Sequence, residues 1–467
     1  MSPTAAPAPA APPTATAATA APTTAAPTPV PTQAPAATST AAPVVQSAPA
    51  GGKAVNLTMW VQEAPFVVFW RNRAAEFAKQ TTSLQFTADI IQVPFDQLSS
   101  KLIAMAATQQ GAPNLVATEY RWFPNLLKQD KVTRVLVDLL PYMKQDGIDP
   151  GQFKKNELYT WKDKLYGLET NALVSCLYVR KDILAKAGIN ADYQPDGKPP
   201  FDTYDDLITA GKALKANGGH ALMAINLDDV WTNWQIHALQ GGGQLFDAGG
   251  SLAIDSPANA ACLNLIKSMV DAQIVKPMSG GAFWGAEHIA AFKDGSMIGA
   301  IMPDWYEENI LEASLKDQAG LWTALPIPAY QAGGNRSTVW GGTGICLTNQ
   351  AQDRDVSWQF LSYGYCNLEN QVKRYTEVDY FPTFVPAWKD PRVLNPPNPF
   401  YSGEKLGKLY ASLAPGLPQF NTNPWLNEAA DKFATEGWAP VMTGKKTVSQ
   451  GLKDAQAAAL TVINAGI

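Results

Sequence analysis

The sequence predicts an α/β fold, because segments with the two-residue period of a strand alternate with segments of helical period. Three strands and the two helices between them are expected within residues 55–120. Strands that alternate with helices in this way usually pair in parallel, since each helix returns the chain to the start of the next strand. The chain has 467 residues, which is enough for two or three domains.

Composition excludes several classes of function. The net charge of −5 leaves no basic face for nucleic acid, so no nucleic-acid partner is expected. No apolar run reaches the roughly 18 residues that a membrane-spanning helix needs. The cysteines form neither a CxxC pair nor a Cys/His cluster, so we expect no metal and no cofactor. The sequence does not decide whether any of them form a disulfide; they are Cys176, Cys262, Cys346 and Cys366.

The first 52 residues differ in character from the rest of the chain. They contain no charged and no aromatic residue and are rich in alanine, proline and threonine. Such a segment cannot bury enough apolar surface to offset its chain entropy, so we expect residues 1–52 to be a disordered, extended tether. It lacks the basic start and the continuous apolar core of a secretory signal.

The predicted elements after the tether begin with the strand VNLTMWV, in which apolar and polar residues alternate. A helix follows, since Phe66, Trp70 and Phe77 recur at helical spacing. LQFTADIIQVP is read as the second strand, and the next helix is expected to end at Gly111. APNLVATEY is the third strand of this parallel α/β segment.

Later elements carry clear helix-start signals. The run that follows Leu165 is predicted to be a strand leading into a helix. Thr203 and Asp206 have the spacing of a capping box, and Ser256 followed by Pro257 is typical of another helix start. LWTALPIPAY is a further predicted strand, and amphipathic helices close the chain.

The segment 291–305, AFKDGSMIGAIMPDW, combines a helix end, a strand and an aromatic residue. Gly295 is expected to end the helix in a left-handed conformation, and Ser296–Met302 to form a strand broken by Pro303. The acidic YEEN sequence then favours a new helix start. Trp305 therefore lies at the carboxyl end of a strand, where open α/β sheets bind ligands.

This segment also resembles the "aF..Gk.AM...G.W" pattern of extracellular solute-binding proteins, the carbohydrate-binding, maltose-binding-protein-like receptors of ABC importers. VWGGTGICLTNQAQDRDVSWQFLSYG is similar to the family's "wGGsglaI......eaAweFl.fl", and RYTEVDYFPTFVPAW to its "...tgylPt...a". The resemblance extends in order from Val55 to the C-terminus. Asn114 stands where the family usually has Asp, and Arg180 where it usually has Asn.

The resemblance implies the two-lobe, type II periplasmic-binding-protein fold, with a hinge between two α/β lobes. The implied first lobe comprises 53–170 and 324–366, and the second comprises 171–323 and 367–467. The hinge crossovers are expected near Asn171, Trp322 and Cys366. Closure of the lobes around a ligand is the general mechanism of such proteins.

The resemblance also implies the function, the partners and the location. The protein is expected to capture a di- or oligosaccharide outside the cytoplasm and to deliver it to the membrane subunits of an ABC importer. A monomer is expected, with a lipid anchor in the native precursor, although the cysteine that carries the lipid in related receptors is absent from residues 1–52.

A sugar site needs flat aromatic faces for the C–H surfaces of the ring and a few placed polar groups for the hydroxyls. The aromatic candidates are Trp60, Trp231, Trp234, Trp284, Trp305, Trp340 and Tyr380, with one of Trp231 and Trp234 expected to face the core. Trp305 corresponds to the family's stacking aromatic, and Glu119 and Asn171 to positions that bind hydroxyls in similar proteins. The other candidates are the acceptors Gln62, Glu63 and Asp304, and Gly341 and Gly342, whose backbone N–H groups could approach a ligand.

Two alternatives stay open at this stage. A receptor of the same fold for a polyamine, a glycerol phosphate or a metal chelate would need clustered carboxylates or arginines in its cleft. A carbohydrate-active enzyme would need two carboxylates facing each other across the pocket. No HExxH or GxSxG motif occurs, and the three histidines lie in turn-like or helical contexts, so we expect a binding protein rather than an enzyme.

Overall fold

The computed structural model describes residues 52–193, 197–227, 229–278 and 283–466. The strands are β1 Lys53–Val61, β2 Leu84–Gln92, β3 Leu115–Glu119, β4 Thr160–Trp161, β5 Lys164–Leu165, β6 Leu168–Glu169, β7 Ser175–Arg180, β8 Met223–Asn226, β9 Val275–Met278, β10 Gly299–Pro303, β11 Trp322–Leu325 and β12 Thr343–Leu347. Apart from Gly52, the predicted tether lies outside the described residues.

The α-helices are α1 Ala64–Gln80, α2 Phe95–Thr108, α3 Phe123–Leu127, α4 Val132–Val135, α5 Leu140–Gln145, α6 Lys181–Lys186, α7 Tyr204–Gly218, α8 Val230–Gln240, α9 Pro257–Asp271, α10 Ala286–Lys293, α11 Arg354–Tyr365, α12 Leu368–Val378, α13 Pro391–Leu394, α14 Leu406–Leu413, α15 Leu426–Lys432, α16 Ala439–Met442 and α17 Val448–Ala465. Short 3-10 turns and two π-helical turns, Glu307–Glu312 and Phe433–Trp438, connect some of them. Within the described ranges, no helix has both the length and the apolar character needed to cross a membrane.

A five-stranded sheet in the order β2-β1-β3-β12-β6 is the larger of the two main sheets in the described ranges. β1 pairs in parallel with both β2 and β3, which confirms the predicted parallel arrangement. β12 runs antiparallel to β3, with Thr343 opposite Glu119. The carboxyl ends of β1, β2 and β3 and the start of β12 therefore share one edge of this sheet.

A second, three-stranded sheet has the order β10-β7-β11, with both outer strands antiparallel to β7. A parallel pair, β8 and β9, lies in the same part of the chain. Trp322 was expected at a crossover, but it is the buried first residue of β11, and its ring packs against Phe292 and Phe400. The second sheet thus extends to Leu325, past the predicted boundary at residue 323.

Local signals in the sequence explain several element boundaries. The capping box at Thr203 and the Ser256 cap are both present. Gly295 has the predicted positive φ, 73°. The helix end predicted at Gly111 is wrong, since α2 ends at Thr108 and Gln109 takes the left-handed conformation. The strand was expected to end before Pro303, but Pro303 is the last residue of β10. Proline is tolerated there because β10 is an edge strand.

The chain passes between the two sheets at three places. The first lies between β6 and β7, and the second at Gly341 and Gly342, immediately before β12. α12 packs on α1, where the Arg374 guanidinium lies 4.7 Å from the centre of the Phe69 ring. Beyond α12, the carbonyl of Phe381 accepts from the N–H of Ala172, which marks the third passage. Cys366, which was expected at a crossover, instead caps the C-terminus of α11, between α11 and α12.

Candidate functional site

A cavity of about 450 Å³ opens at the shared edge of the five-stranded sheet. Its volume lies within the range of about 300–1,000 Å³ that is usual for small-molecule sites. The lining residues come from both halves of the molecule; they are Gln62, Glu63, Ala64, Pro65, Phe66, Gln92, Phe95, Glu119, Arg121, Thr170, Asn171, Leu173, Trp284, Trp305, Asn309, Ile310, Trp340, Gly341, Gly342, Thr343 and Tyr380.

Three tryptophans form one wall of this cavity, and we call them the tryptophan cluster: Trp284, Trp305 and Trp340. The ring centroids of Trp305 and Trp340 are 5.6 Å apart, and Trp284 lies 6.2 Å from the former and 6.3 Å from the latter. Trp340 is buried, Trp305 is half-buried and Trp284 is 47% exposed. The cluster therefore offers a broad aromatic surface that other side chains do not fully cover.

Gly341 and Gly342 bring the backbone close to this wall. Both have positive φ, 87° and 137°, which side chains rarely allow. A Cβ on Gly341 would lie 3.4 Å from the Trp305 indole nitrogen, and one on Gly342 would lie 2.8 Å from Oε2 of Glu169. Both glycines are thus favoured by the backbone conformation, and a side chain at Gly342 would also clash with Glu169.

The sheet edge supplies the polar side of the cavity. Tyr380 donates its hydroxyl to Oε2 of Glu63 at 2.7 Å, and Arg121 donates its Nε to Oε1 of Glu119 at 3.2 Å. Burial raises the pKa of Glu63, and the bond from Tyr380 partly opposes that rise. Burial also raises the pKa of Glu119, against the lowering effect of Arg121. Burial therefore makes the ionised form of both carboxylates unfavourable unless donors reach them. Both line the cavity, where ligand hydroxyls could donate to them.

Two buried polar atoms at this site have no hydrogen-bond partner among the described residues. The Nε2 of Gln62 donates to the hydroxyl of Thr343 at 2.8 Å, but its Oε1 has none. The indole N–H of Trp340 is also without an acceptor. A buried polar atom without a partner costs about 1–3 kcal/mol, so each of these two atoms lowers the stability of the unliganded protein by about that amount.

The structure brings ten of the predicted site residues to the cavity and leaves four away from its lining. Trp234 is buried against Phe433, so it is the core-facing member of its pair. Trp231 does not line the cavity and packs under the Arg121 guanidinium. Trp60 lies beneath Lys101 of α2, because the alternation along β1 turns it toward that helix.

Asp304 is the fourth predicted residue outside the lining, since it is wholly buried behind the cavity. Its carboxylate accepts from the side chain of Asn171 at 3.2 Å and from the backbone N–H of Phe381 at 2.9 Å. It therefore cannot contact a ligand in this structure. Its contribution to the site is to hold the segments of Asn171 and Phe381 together.

Several lining residues were missed by the sequence reasoning. Phe95, Gln92 and Arg121 follow or end strands of the first sheet, as Gln62 and Glu119 do. The rule that residues after parallel strands meet at one edge would have found them, because β2 was recognised as a strand. Asn309 lies on the wide helical turn after Trp305 and carried no comparable signal.

Residues 72–393 match the family described as bacterial extracellular solute-binding protein. The chain belongs to this family. As a member of an extracellular family of solute-binding proteins, it is a binding protein that functions outside the cytoplasm.

Known relatives of this solute-binding protein include two named for oligosaccharides. It is 28% identical over 371 residues to the arabinooligosaccharide-binding protein of Halalkalibacterium halodurans, covering 78% of this chain and 79% of that one. It is 25% identical over 332 residues to the arabinooligosaccharide-binding protein of Bacillus subtilis, covering 71% and 74%. The fold matches the sugar-binding protein MalE from Xanthomonas citri with a TM-score of 0.70 at 16% identity, over 88% of this chain and 98% of that one. The predicted type II fold is confirmed.

Two buried carboxylates tie together the passages of this solute-binding protein between its sheets. Oε1 of Glu169 accepts from the backbone N–H groups of Thr170 at 2.7 Å and Thr343 at 3.1 Å, and so joins the first passage to the second. Asp304 joins the first passage to the third through Asn171 and Phe381. Burial raises the pKa of each carboxyl to about 7.

Proposed function

We propose that the protein binds a di- or oligosaccharide in this cavity and delivers it to the membrane subunits of an ABC importer. The observation that carries the proposal is the tryptophan cluster facing polar groups of the sheet edge across one cavity. That combination suits a ligand with apolar faces and a rim of hydroxyls. The relatives named for arabinooligosaccharides support the same class of ligand.

The charges of the lining favour a neutral ligand over an ionic one. Its carboxylates are Glu63 and Glu119, and its one arginine, Arg121, is ion-paired with the latter. A polyamine carries several cationic groups and would need several carboxylates free of such a partner, whereas only Glu63 of this lining is free of one. A phosphate would need cations free to bind it. A sugar needs neither, and it can use the two carboxylates as acceptors for its hydroxyls.

The arrangement of the carboxylates favours binding over hydrolysis. Glu63 follows β1 and Glu119 ends β3, so both project from the same edge of one sheet. A glycosidase places its two carboxyl groups on either side of the scissile bond. The lining residues from the tryptophan side include no carboxylate.

We also propose two lobes that move about the three passages between the sheets. The sheet pairings favour a first lobe of 53–170 and 343–378, with the rest of 171–466 in the second. Asp304 and Glu169 lie at the hinge in this division, which revises the boundaries inferred from the sequence. A ligand that contacts both lobes only after closure would shift the population toward the closed form. We propose further that the protein is monomeric, that residues 1–52 are a tether and that the native precursor is lipid-anchored.

A thermal-shift screen tests the proposed ligand class. At a hundred times Kd, a ligand adds about 2.7 kcal/mol to stability, which is a rise of a few degrees in Tm. We expect this rise with arabino- or malto-oligosaccharides and none with spermidine or glycerol 3-phosphate. Mass spectrometry of the recovered sugar should show it intact. A rise with spermidine or glycerol 3-phosphate alone, or cleavage of the sugar, would contradict the proposal.

Replacement of Tyr380 by phenylalanine tests the role of Glu63. The bond from Tyr380 lowers the Glu63 pKa against the effect of burial, so its loss is expected to raise that pKa further. If ionised Glu63 accepts sugar hydroxyls, affinity in the variant should fall at a higher pH on acidification than in the wild type. Isothermal titration between pH 4 and 8 measures this shift.

Tyr375→Phe is the matched control, because Tyr375 is buried on α12 and does not line the cavity. Its affinity should follow the wild-type pH profile. Identical profiles for the wild type and Tyr380→Phe would remove Glu63 from the binding account.

A further inference from the structure

An additional aromatic surface lies on the first-sheet side of the cavity. Phe95 is the first residue of α2, lines the cavity and is 44% exposed. Its ring centroid is 4.5 Å from that of Trp122, which is half-buried. Trp122 therefore supports Phe95 from one side and leaves part of the Phe95 ring exposed at the cavity.

The sheet order sets the distance between Phe95 and the tryptophan cluster. Phe95 lies three residues after β2, at one end of the order β2-β1-β3-β12, and Trp340 lies three residues before β12. Neighbouring strands are about 4.8 Å apart, so three intervals span about 14 Å. The polar residues Gln62 and Glu119, at the ends of β1 and β3, lie between the two aromatic surfaces.

From this arrangement, and resting on the proposed function, we infer that Phe95 forms an outer subsite for a third sugar unit. One end of the ligand stacks on the tryptophan cluster, its middle bonds to the polar edge, and its far end packs on Phe95. The ligand class is then an oligosaccharide of three or more units, because a disaccharide bound at the cluster does not reach Phe95.

Affinity as a function of chain length tests the outer subsite. Isothermal titration would use arabinobiose, arabinotriose and arabinotetraose, and also maltose, maltotriose and maltotetraose. An aromatic contact is worth about a tenfold change in Kd, so the wild type should bind the trisaccharide of its preferred series about ten times more tightly than the disaccharide. In Phe95→Ala, that gain should disappear while disaccharide affinity is unchanged.

Two further variants separate the subsite from general effects on α2. Phe95→Tyr keeps the ring and should keep the gain. Ile103→Ala removes an apolar side chain of the same helix that is 48% exposed and does not line the cavity, and it should behave as the wild type.

The outcomes distinguish this inference from the proposed function. Equal affinities for disaccharide and trisaccharide, or an undiminished gain in Phe95→Ala, would overturn the outer subsite and leave the sugar receptor standing. No binding of either series by the wild type would contradict the outer subsite, and the proposed function would fail with it.

Discussion

Replacement of Trp305 by alanine is expected to weaken sugar binding by about 2–3 kcal/mol, a factor of about 30 to 150 in Kd. Trp305 contacts both other members of the tryptophan cluster and lines the cavity. Truncation therefore removes the stacking face of Trp305. It also removes the ring against which Trp284 and Trp340 both pack. Isothermal titration with the best sugar of the thermal-shift screen measures the loss.

Trp161→Ala provides the matched control for this loss. Trp161 is also half-buried, but it lies on β4 and does not line the cavity. Its replacement should leave Kd unchanged, and Trp305→Phe should lose less affinity than Trp305→Ala. Wild-type affinity in Trp305→Ala would show that the sugar does not stack on this wall.

Replacement of Glu169 by glutamine is expected to change the pH dependence of stability. Burial raises the Glu169 pKa from 4.5 to about 7. Between these values the folded protein holds a proton that the unfolded chain releases, so this group makes stability fall as pH rises through that window. Above about pH 7 the full free-energy cost of ionising the buried Glu169 carboxyl group is present, and below about pH 4.5 it is absent.

Glutamine cannot ionise, so the variant should lose this contribution. The slope of unfolding free energy against pH should differ from the wild-type slope by as much as about 1.4 kcal/mol per pH unit within the window. Glutamine also preserves the bonds to Glu169 Oε1, because its carbonyl oxygen can accept from the same N–H groups. The variant should therefore gain stability relative to wild type as pH rises from 4.5 to 8.

Urea unfolding at several pH values measures the difference in slope. Glu287→Gln is the control for replacement of an exposed carboxyl group, since Glu287 is exposed on α10, and its change in slope should be smaller than that of Glu169→Gln. Parallel stability curves for the wild type and Glu169→Gln would show that Glu169 does not titrate in the folded protein as described.

The sheet edge was predictable from the sequence because it depends on local signals. Alternation in β1 and the helical spacing in α1 identified the parallel unit, and parallel pairing brings Gln62 and Glu119, which lie at the ends of β1 and β3, to one edge. The same reasoning placed Trp305 after β10. These residues reach the cavity because strand ends determine their position.

The positions that the sequence misjudged depend on long-range packing. Whether Trp234 faces the core or the cleft depends on Phe433, which lies about two hundred residues later in the chain. Asp304 has the expected place after β10, but its burial results from bonds to Asn171 and Phe381 that no local pattern signals. Trp322 was mistaken for a crossover because its pairing partner, Arg180 of β7, lies about 140 residues earlier in the chain.

Hydrogen–deuterium exchange with and without saturating sugar tests most directly the central claim that the ligand lies between the two sheets. We expect slower exchange in peptides covering 60–66, 303–310, 340–343 and 378–381, which belong to both sides of the cavity. Exchange on exposed elements away from the cavity, such as α17, should not change. Protection limited to one side of the cavity, or found only elsewhere, would contradict the account.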